Sequence, residues 1–371
     1  WHILHLRCWC LKMMSMQVFW ALWLLHVNVN IMVMYQSLET RCIKKLKRSR
    51  GVLILAESLR TIVVGLGVQG LKRQHFAGAD FVCSVDPINL DADYRDIADV
   101  PLASYDAVMA CVPDQPKAEL LTYCIENSKH VLVEKPLWAS SEEEISALED
   151  LAVSKGVVVY TAYNHRFEPH YVRMRDLIAS GKLGEIYSCR MFYGNGTARL
   201  VRNSSWRDQG AGVLLALGSH LLDTCRFWFG EISGDFKLTG AHAFENLAAD
   251  HVVINNETAT PRIELEMTLL MWRNHFTCDI LAENGTAHIN SLCKWGPSTF
   301  TKRMRVLPSG RPPEEEVTLV QDDPTWTSEY QNFKHLIDIN QKTDLSSSIW
   351  LHRTLNRLEN CVENKIKEQA R

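Results

Sequence analysis

From residue 59 onward the sequence predicts an α/β protein in two parts, a doubly wound parallel sheet followed by an α+β domain. Three observations carry that expectation. The β-branched run Arg60-Thr-Ile-Val-Val ends in Gly65-Leu-Gly67-Val68-Gln69-Gly70 and opens into the helix-compatible LKRQHF. Continuous apolar strand patterns then alternate with helix patterns as far as residue 162, as parallel strands joined by crossover helices do. Beyond residue 185 the strand patterns cluster together instead, which indicates a separate α+β unit.

Of the 371 residues 46% are apolar and 22% charged, with 40 Lys+Arg against 43 Asp+Glu. That balance is ordinary for a globular chain, and a net charge of −3 lacks the basic footprint of a general nucleic-acid binder. The average conceals a split. Residues 1–60 hold nine basic and two acidic side chains, a charge of +7, with four of the 11 Trp and five of the 11 Met. Residues 61–371 hold the other 31 basic and 41 acidic side chains, a charge of −10. VFWALWLLHVNVNIMVMY (residues 18–35) is about long enough to span a bilayer core, and the basic RCIKKLKRSR follows it. His26, Asn28 and Asn30 interrupt the run, each costly in hydrocarbon. Residues 1–58 are therefore expected to be an atypical N-terminal extension, disordered or non-native, with a membrane anchor through residues 18–35 as the alternative. The eight Cys after residue 60 form no CxxC pair and no zinc-ligand spacing. They read as buried reduced thiols in a cytoplasmic protein, with no metal site.

The first unit is expected over residues 59–162. A strand, then GxGxxG, then a helix start is the context of a dinucleotide fingerprint. Gly65 allows the tight turn, Gly67 lets the backbone approach a pyrophosphate, and Gly70 lets the helix pack close to the strand. Val68 and Gln69 open that helix, where free N–H groups and the positive dipole end favour an anion. Ala79–Asp86 reads as the second strand and ends in a carboxylate placed to accept from the ribose hydroxyls, which favours NAD over NADP. Tyr105–Val112 is a strand, Pro116–Asn127 a helix and His130–Glu134 a strand. Ser141–Lys155 is a helix capped by Ser140 or Ser141 with Glu143 or Glu144, and stopped by Gly156. Val157–Thr161 is the last strand. The ligand belongs beyond the carboxyl ends of these strands, where Gly65, Asp86, Val112, Pro113, Glu134 and Tyr163 fall.

The second unit is expected over residues 163–371. Pro169–Ser180 is an amphipathic helix ended by Gly181. Strand patterns follow at Ile186–Tyr193, Asp235–Phe244, Ile263–Trp272, His275–Leu281, Thr286–Ile289 and Arg303–Leu307, with Asn284-Gly285 as a hairpin turn. Helical stretches over Trp326–Ile337 and Ser348–Glu368 close the chain.

Glu134-Lys135-Pro136 stands at the end of the HVLV strand. A lysine there can donate to a substrate oxygen, or accept its proton if its pKa is lowered. Pro136 fixes the turn, with a cis bond as one way to aim the lysine inward. GLGVQG, KHVLVEKP, YNHRFEP, GKLGEI and GAGVLLALGSHLLD follow one another in the order and spacing of a known family. Over residues 60–371 the chain resembles the Gfo/Idh/MocA oxidoreductases. The resemblance implies an N-terminal Rossmann domain and a C-terminal domain with an open, mainly antiparallel sheet. That sheet lines the substrate pocket and forms the interface of a homo-oligomer. It also implies NAD- or NADP-dependent oxidation or reduction at one hydroxyl carbon of a sugar, cyclitol or nucleotide sugar. Glu134 and Lys135 then belong to the cofactor site, and Lys135 to the catalytic pair.

Gly210–Asp223 reads as a helix entered through glycines. In the family this helix carries Asp at i and His at i+4; here His220 holds the second position and Ala216 the first. His220 is the expected proton-exchanging group, and Asp223, three residues on, is near enough in phase to orient its ring. Tyr163, Asn164, His165, Arg166, Arg207 and Asp223 are candidate substrate contacts, and the two arginines could pair with a carboxylate or phosphate of the substrate or form structural salt bridges across the domain junction. Lys117, at the start of the helix after the third strand, is assigned no role. The leading reading is a sugar or cyclitol dehydrogenase. A catalytically weak dinucleotide-binding relative, motivated by Ala216, and NAD-assisted glycoside cleavage are the alternatives.

Overall fold

The computed structural model describes residues 59–205 and 207–369. The expectations for residues 1–58, the anchor at 18–35 among them, lie outside the described residues.

The first unit runs β1 (Thr61–Val64), α1 (Val68–Ala77), β2 (Phe81–Val85), β3 (Ala107–Ala110), α2 (Lys117–Glu126), β4 (His130–Glu134), α3 (Glu142–Lys155) and β5 (Val159–Ala162). All pairings are parallel, in the order β2-β1-β3-β4-β5. The strands are short and mostly apolar, and the central β1 and β3 are buried throughout, as a doubly covered sheet requires. Ile62, Val108, Val131 and Val133 meet α2 and α3 through Leu121, Ile125, Ile145 and Leu148. The alternate residues Val63, Met109 and Leu132 face the other way. Helix α3 starts where Ser141 accepts a hydrogen bond from the Glu144 amide and Glu144 accepts from that of Ser140. It ends at Gly156 in the left-handed region. The chain reverses direction around β1, leaving a switch point between the ends of β1 and β3.

The second unit adds α4 (Pro169–Ala179), β6 (Ile186–Gly194), the short α5 (Ala198–Arg202), α6 (Ser219–Phe229), β7 (Lys237–His242), β8 (His251–Asn256), β9 (Arg262–Thr268), β10 (His275–Ala282), β11 (Gly285–Asn290), β12 (Ser298–Met304) and β13 (Glu314–Leu319). They form one open sheet in the order β13-β12-β11-β10-β6-β9-β8-β7, antiparallel except for the parallel pair β6–β9. Period-two burial is plain in β10: Phe276, Cys278 and Ile280 are buried, whereas Asp279 and Leu281 are exposed. The buried face packs on Tyr171 and Met174 of α4 and on Leu221, Leu222 and Trp228 of α6.

Two helices follow, α7 (Thr325–Asp338) and α8 (Ser346–Gln369). Although α7 comes late in sequence, its Tyr330 and Phe333 cover the second face of the parallel sheet against Val63, Met109 and Leu132. The expected division at residue 162 places this helix in the other unit. Thr343 donates to the Val157 carbonyl and accepts from the Val159 amide, so the loop before α8 also caps the edge at β5. Leu351, Leu355 and Leu358 of α8 join the core of the second unit.

Strand patterns missed β8 and β13. HVVINN is bounded by polar residues without a turn signal, and EEEVTL is an acidic edge strand whose charges pair with β12 through Arg303–Glu314 and Lys302–Glu315. The strand expected at 303–307 lies at 298–304, because its apolar positions are Phe300 and Met304 rather than Val306 and Leu307. No helix among the described residues is long and apolar enough to cross a membrane.

Candidate active site

The Gly65–Gly70 turn sits at the switch point. Gly65 has φ +93°, and a Cβ there would lie 2.5 Å from the Cys111 carbonyl oxygen. At Gly70 a Cβ would stand 1.8 Å from the Gly65 carbonyl oxygen, so no larger residue lets α1 pack this close to the turn. Gly67 meets nothing within 4 Å and starts α1 with no side-chain cap, leaving the first amides, those of Val68 and Gln69, open to an incoming anion. Asp86 Oδ2 accepts from the Leu66 amide at 2.7 Å, and Oδ1 accepts from Ile88 and Asn89, both at 2.8 Å. Burial alone would raise its pKa; the amides of Asn89, Leu66 and Ile88 outweigh that and hold the carboxyl below its usual range. A fixed carboxylate thus ends β2 beside a cradle that added side chains would fill, and these residues fit a dinucleotide. Val112 is half-buried and Pro113 exposed at the end of β3, on the same edge.

Glu134 and Lys135 diverge at the end of β4. Glu134 Oε1 accepts from both Nε and Nη2 of buried Arg73, each at 2.7 Å, while Arg73 Nη1 donates to Glu329 of α7 at 2.6 Å. The guanidinium also lies over the Trp326 ring, 4.5 Å from its centroid. This Glu–Arg–Glu bridge fastens the end of β4 to α1 and α7. Glu329 is fully buried, and that burial raises its pKa to about 7 against the pull of Arg73. The Lys135–Pro136 bond is cis. Lys117, assigned no role from the sequence, is buried; its Nζ donates to Asp114 and to the Pro136 carbonyl, both at 2.6 Å. It braces the turn that carries Lys135.

Lys135 reaches across to the second unit and donates to the Ala216 carbonyl oxygen at 2.8 Å. Burial lowers its pKa to about 8, with Glu134 opposing and Lys117 reinforcing the shift. The segment it meets, Leu214–Gly218, is a π-helical turn that runs directly into α6. The expected i, i+4 phase of Ala216 and His220 assumed an α-helix throughout. The widened turn changes that phase, and turns of this kind recur at functional sites.

His220 follows half a turn later, half-buried, with a buried Nδ1 that no protein group satisfies. Its ring stacks on His165 at 4.0 Å and 20° and meets the edge of Tyr163 at 6.1 Å. Burial pushes its pKa well below 6.5, and His165, Lys135 and Lys294 push the same way. At neutral pH the ring is therefore uncharged and able to accept a proton. His165 is buried and likewise held neutral by burial, Lys294 and Lys135. Tyr163 is buried in the same cluster, with an unpartnered hydroxyl.

Other expected contacts fall elsewhere. Asp223 does not orient His220: its carboxylate binds Arg166 through Nη2 at 2.5 Å and Nε at 2.9 Å. That bidentate pair joins the turn after β5 to α6, which occupies both groups and removes Arg166 as an anion ligand for substrate. Asn164 donates to Thr325 Oγ1 at 2.8 Å and anchors the start of α7. Arg207 is exposed on the loop before the glycine turn. The sequence reading missed Lys294, which stands in a loop between β11 and β12 with no motif to mark it. No cluster of metal-ligating side chains occurs among the described residues.

The fold and site together define an α/β protein with a glycine cradle at the switch point of its parallel sheet and a lysine bonded to the turn that leads into a neutral histidine. Residues 55–163 match the family described as an oxidoreductase family with an NAD-binding Rossmann fold, and residues 171–288 match the Gfo/Idh/MocA C-terminal domain. The chain belongs to the Gfo/Idh/MocA family. It is 33% identical over 150 residues to levoglucosan dehydrogenase of Pseudarthrobacter phenanthrenivorans, a stretch covering 39% of this chain and 38% of that one. The match thus spans well under half the length of that curated relative. Among solved structures the chain is similar to a UDP-N-acetylglucosamine 3-dehydrogenase from Acidithiobacillus ferrooxidans, with a TM-score of 0.68, 18% identity, and coverage of 83% and 99%. It is also similar to an inositol dehydrogenase homologue from Azotobacter vinelandii complexed with NADH and myo-inositol, with a TM-score of 0.67, 16% identity, and coverage of 83% and 96%. At these identities the two structures establish the shared fold.

Proposed function

We propose that the chain is an NAD-dependent dehydrogenase acting on a hydroxyl carbon of a sugar, cyclitol or nucleotide sugar. The observation that carries this reading is the meeting of Lys135 with the π-turn that leads into His220, on the same sheet edge as the glycine cradle. A bound nicotinamide supplies the hydride acceptor. Lys135, charged below about pH 8, donates to the reacting oxygen and stabilises the negative charge that develops there. His220, neutral at the same pH, takes the hydroxyl proton, a contribution of about 10²–10⁴-fold for groups of this kind. The orphaned Tyr163 hydroxyl and His220 Nδ1 leave polar capacity for substrate hydroxyls.

The ionised Asp86 supports NAD over NADP, since a 2′-phosphate would meet a carboxylate held below its usual pKa. The exposed outer face of the large sheet, with Arg190, Glu264, Asp279 and Leu281, supports a homo-oligomer formed through it. All eight described cysteines are free and seven lie out of full exposure, which supports a reducing, cytoplasmic setting.

Titration of the purified protein with NAD and NADP, followed by a sugar and cyclitol panel read at the NADH absorbance, tests the reading. NAD binding at least tenfold tighter than NADP, reversed by Asp86→Ser, is the expected result, together with turnover on at least one polyol. Tight dinucleotide binding with no turnover on any substrate would leave a binding protein instead.

A further inference from the structure

The charges around the proposed substrate position do not balance. Carboxylates near it are engaged elsewhere: Glu134 with Arg73, Asp114 with Lys117, and Asp223 with Arg166. Glu168 is buried and accepts from the amide and thiol of Cys293 at 3.2 and 2.9 Å, and burial raises its pKa despite those bonds. Lys135 and Lys294, by contrast, have no carboxylate within 4.0 Å among the described residues. Asp223, the acid of α6, is committed to Arg166, and the entry turn Leu214–Gly218 carries none, so neither offsets them.

Lys294 is held in place deliberately. The Glu168–Cys293 bonds pin its loop to the turn that carries His165. Its Nζ then lies 2.9 Å from His165 Nε2, 4.9 Å from the Trp295 ring centroid and 6.0 Å from that of Tyr193. An ammonium donating to Nε2 places the His165 proton on Nδ1, leaving that nitrogen a buried donor without a partner. Lys294 is half-exposed, so two of its three N–H groups remain for a ligand. Lys294 also lines a shallow cavity together with Asp322 and Asp323. Asp323 caps the Thr325 amide at 2.9 Å, and neither acid reaches within ion-pair distance of Nζ.

We infer that Lys294, positioned by His165 and flanked by Lys135, is a substrate-recognition residue that selects sugars bearing an anionic group, a carboxylate or a phosphate. The ammonium of Lys294 adds to the field that lowers the Lys135 pKa, and an anion bound at Lys294 relieves that repulsion. The same anion would leave the neutral histidines free for proton exchange, since it contacts Lys294 rather than His220. This inference rests on the dehydrogenase reading for the reacting hydroxyl, and extends it to the class of molecule that carries it.

Calorimetric titration of the NAD-loaded protein with glucose, glucuronate and glucose 6-phosphate, beside turnover on the same three, tests it. Either anionic sugar is expected to bind at least tenfold more tightly than glucose. The preferred arm identifies carboxylate or phosphate, and the preference should weaken with added salt. Lys294→Gln should abolish the preference and Lys294→Arg should keep it, with thermal melts showing that each variant is folded. Equal or better binding of glucose, or an anion preference that survives Lys294→Gln, overturns the inference. Turnover of neutral polyols without anion preference sinks this inference alone, whereas NAD binding without hydride transfer to any sugar sinks the dehydrogenase reading.

Discussion

The proposed dinucleotide side and the proposed substrate side of this molecule solve their electrostatics in opposite ways. Beyond the parallel sheet the acids are answered where they stand: Asp86 by three backbone amides, Glu134 by Arg73, Asp114 by Lys117. Across the junction Lys135, Lys294, His165 and His220 crowd together, and the acids within reach, Asp223 and Glu168, are committed to Arg166 and Cys293. The first side builds a rigid cradle whose shape the backbone dictates. The second stores unpaired positive charge in a partly buried space, which costs stability unless a ligand or a lowered pKa relieves it. Burial, with Lys117 and Lys294 adding to it, holds the Lys135 pKa at about 8, a range suited to a lysine that handles protons.

The largest test of the contrast is Lys135→Met, which removes the charge that should stabilise the developing oxyanion. kcat/KM should fall by about 10²–10⁴-fold with NAD affinity within a few fold of wild type. The pH profile adds a sharper check. Lys135 is charged below its lowered pKa and His220 is neutral above its own, so kcat/KM for alcohol oxidation should be flat near neutrality and decline above about pH 8. Lys135→Arg should move that alkaline limb upward in a slower enzyme. A limb unmoved by the arginine would assign it to another group.

Next in size is the Glu134–Arg73–Glu329 bridge on the dinucleotide side. Arg73→Met leaves two carboxylates buried without their cation and should cost about 3–5 kcal/mol in urea unfolding. The pH dependence has a definite sign. Glu329 has a folded pKa of about 7, above the 4.5 of an unperturbed glutamate, so the native state binds the extra proton. Its contribution is full below about pH 4.5 and is lost as pH rises through 7. Glu329→Gln should flatten that decline, and Arg73→Met should carry it to higher pH. A loss under about 1 kcal/mol would mean that water enters and replaces the guanidinium.

The same contrast explains what was legible in the sequence. GLGVQG, Asp86 and the strand–helix alternation are local patterns whose roles follow from backbone geometry, and the parallel sheet could be read from them. Lys135 and His220 were marked by short motifs. What joins them was not, because Lys135 meets Ala216, 81 positions away, on a π-turn that an i, i+4 reading cannot show. Asp223 was in phase with His220, yet its partner, Arg166, lies 57 positions away and wins on bidentate geometry. Lys117 carried no legible role; only the neighbouring Pro136 carbonyl reveals it as a brace. Lys294 carried no signal at all.

The smallest expected effect is also the one that best separates the two sides. Ala216→Asp places a carboxylate on the turn that already receives Lys135 through its carbonyl oxygen. An acid within a few Å of an ammonium favours the charged form, so the Lys135 pKa should rise from about 8 and the alkaline limb should move up with it. The substitution also offsets the positive field shared with Lys294. Anionic sugars should then bind about tenfold more weakly, while neutral polyols hold their affinity and gain in kcat. On the dinucleotide side nothing should change, since Asp86 and the Gly65–Gly70 turn are fixed by their own amides and close contacts. Calorimetry with NAD and with glucuronate on one preparation reads both arms. A parallel loss of NAD affinity would show that the two sides are electrostatically continuous and would remove the basis for treating Lys294 as a selector of its own.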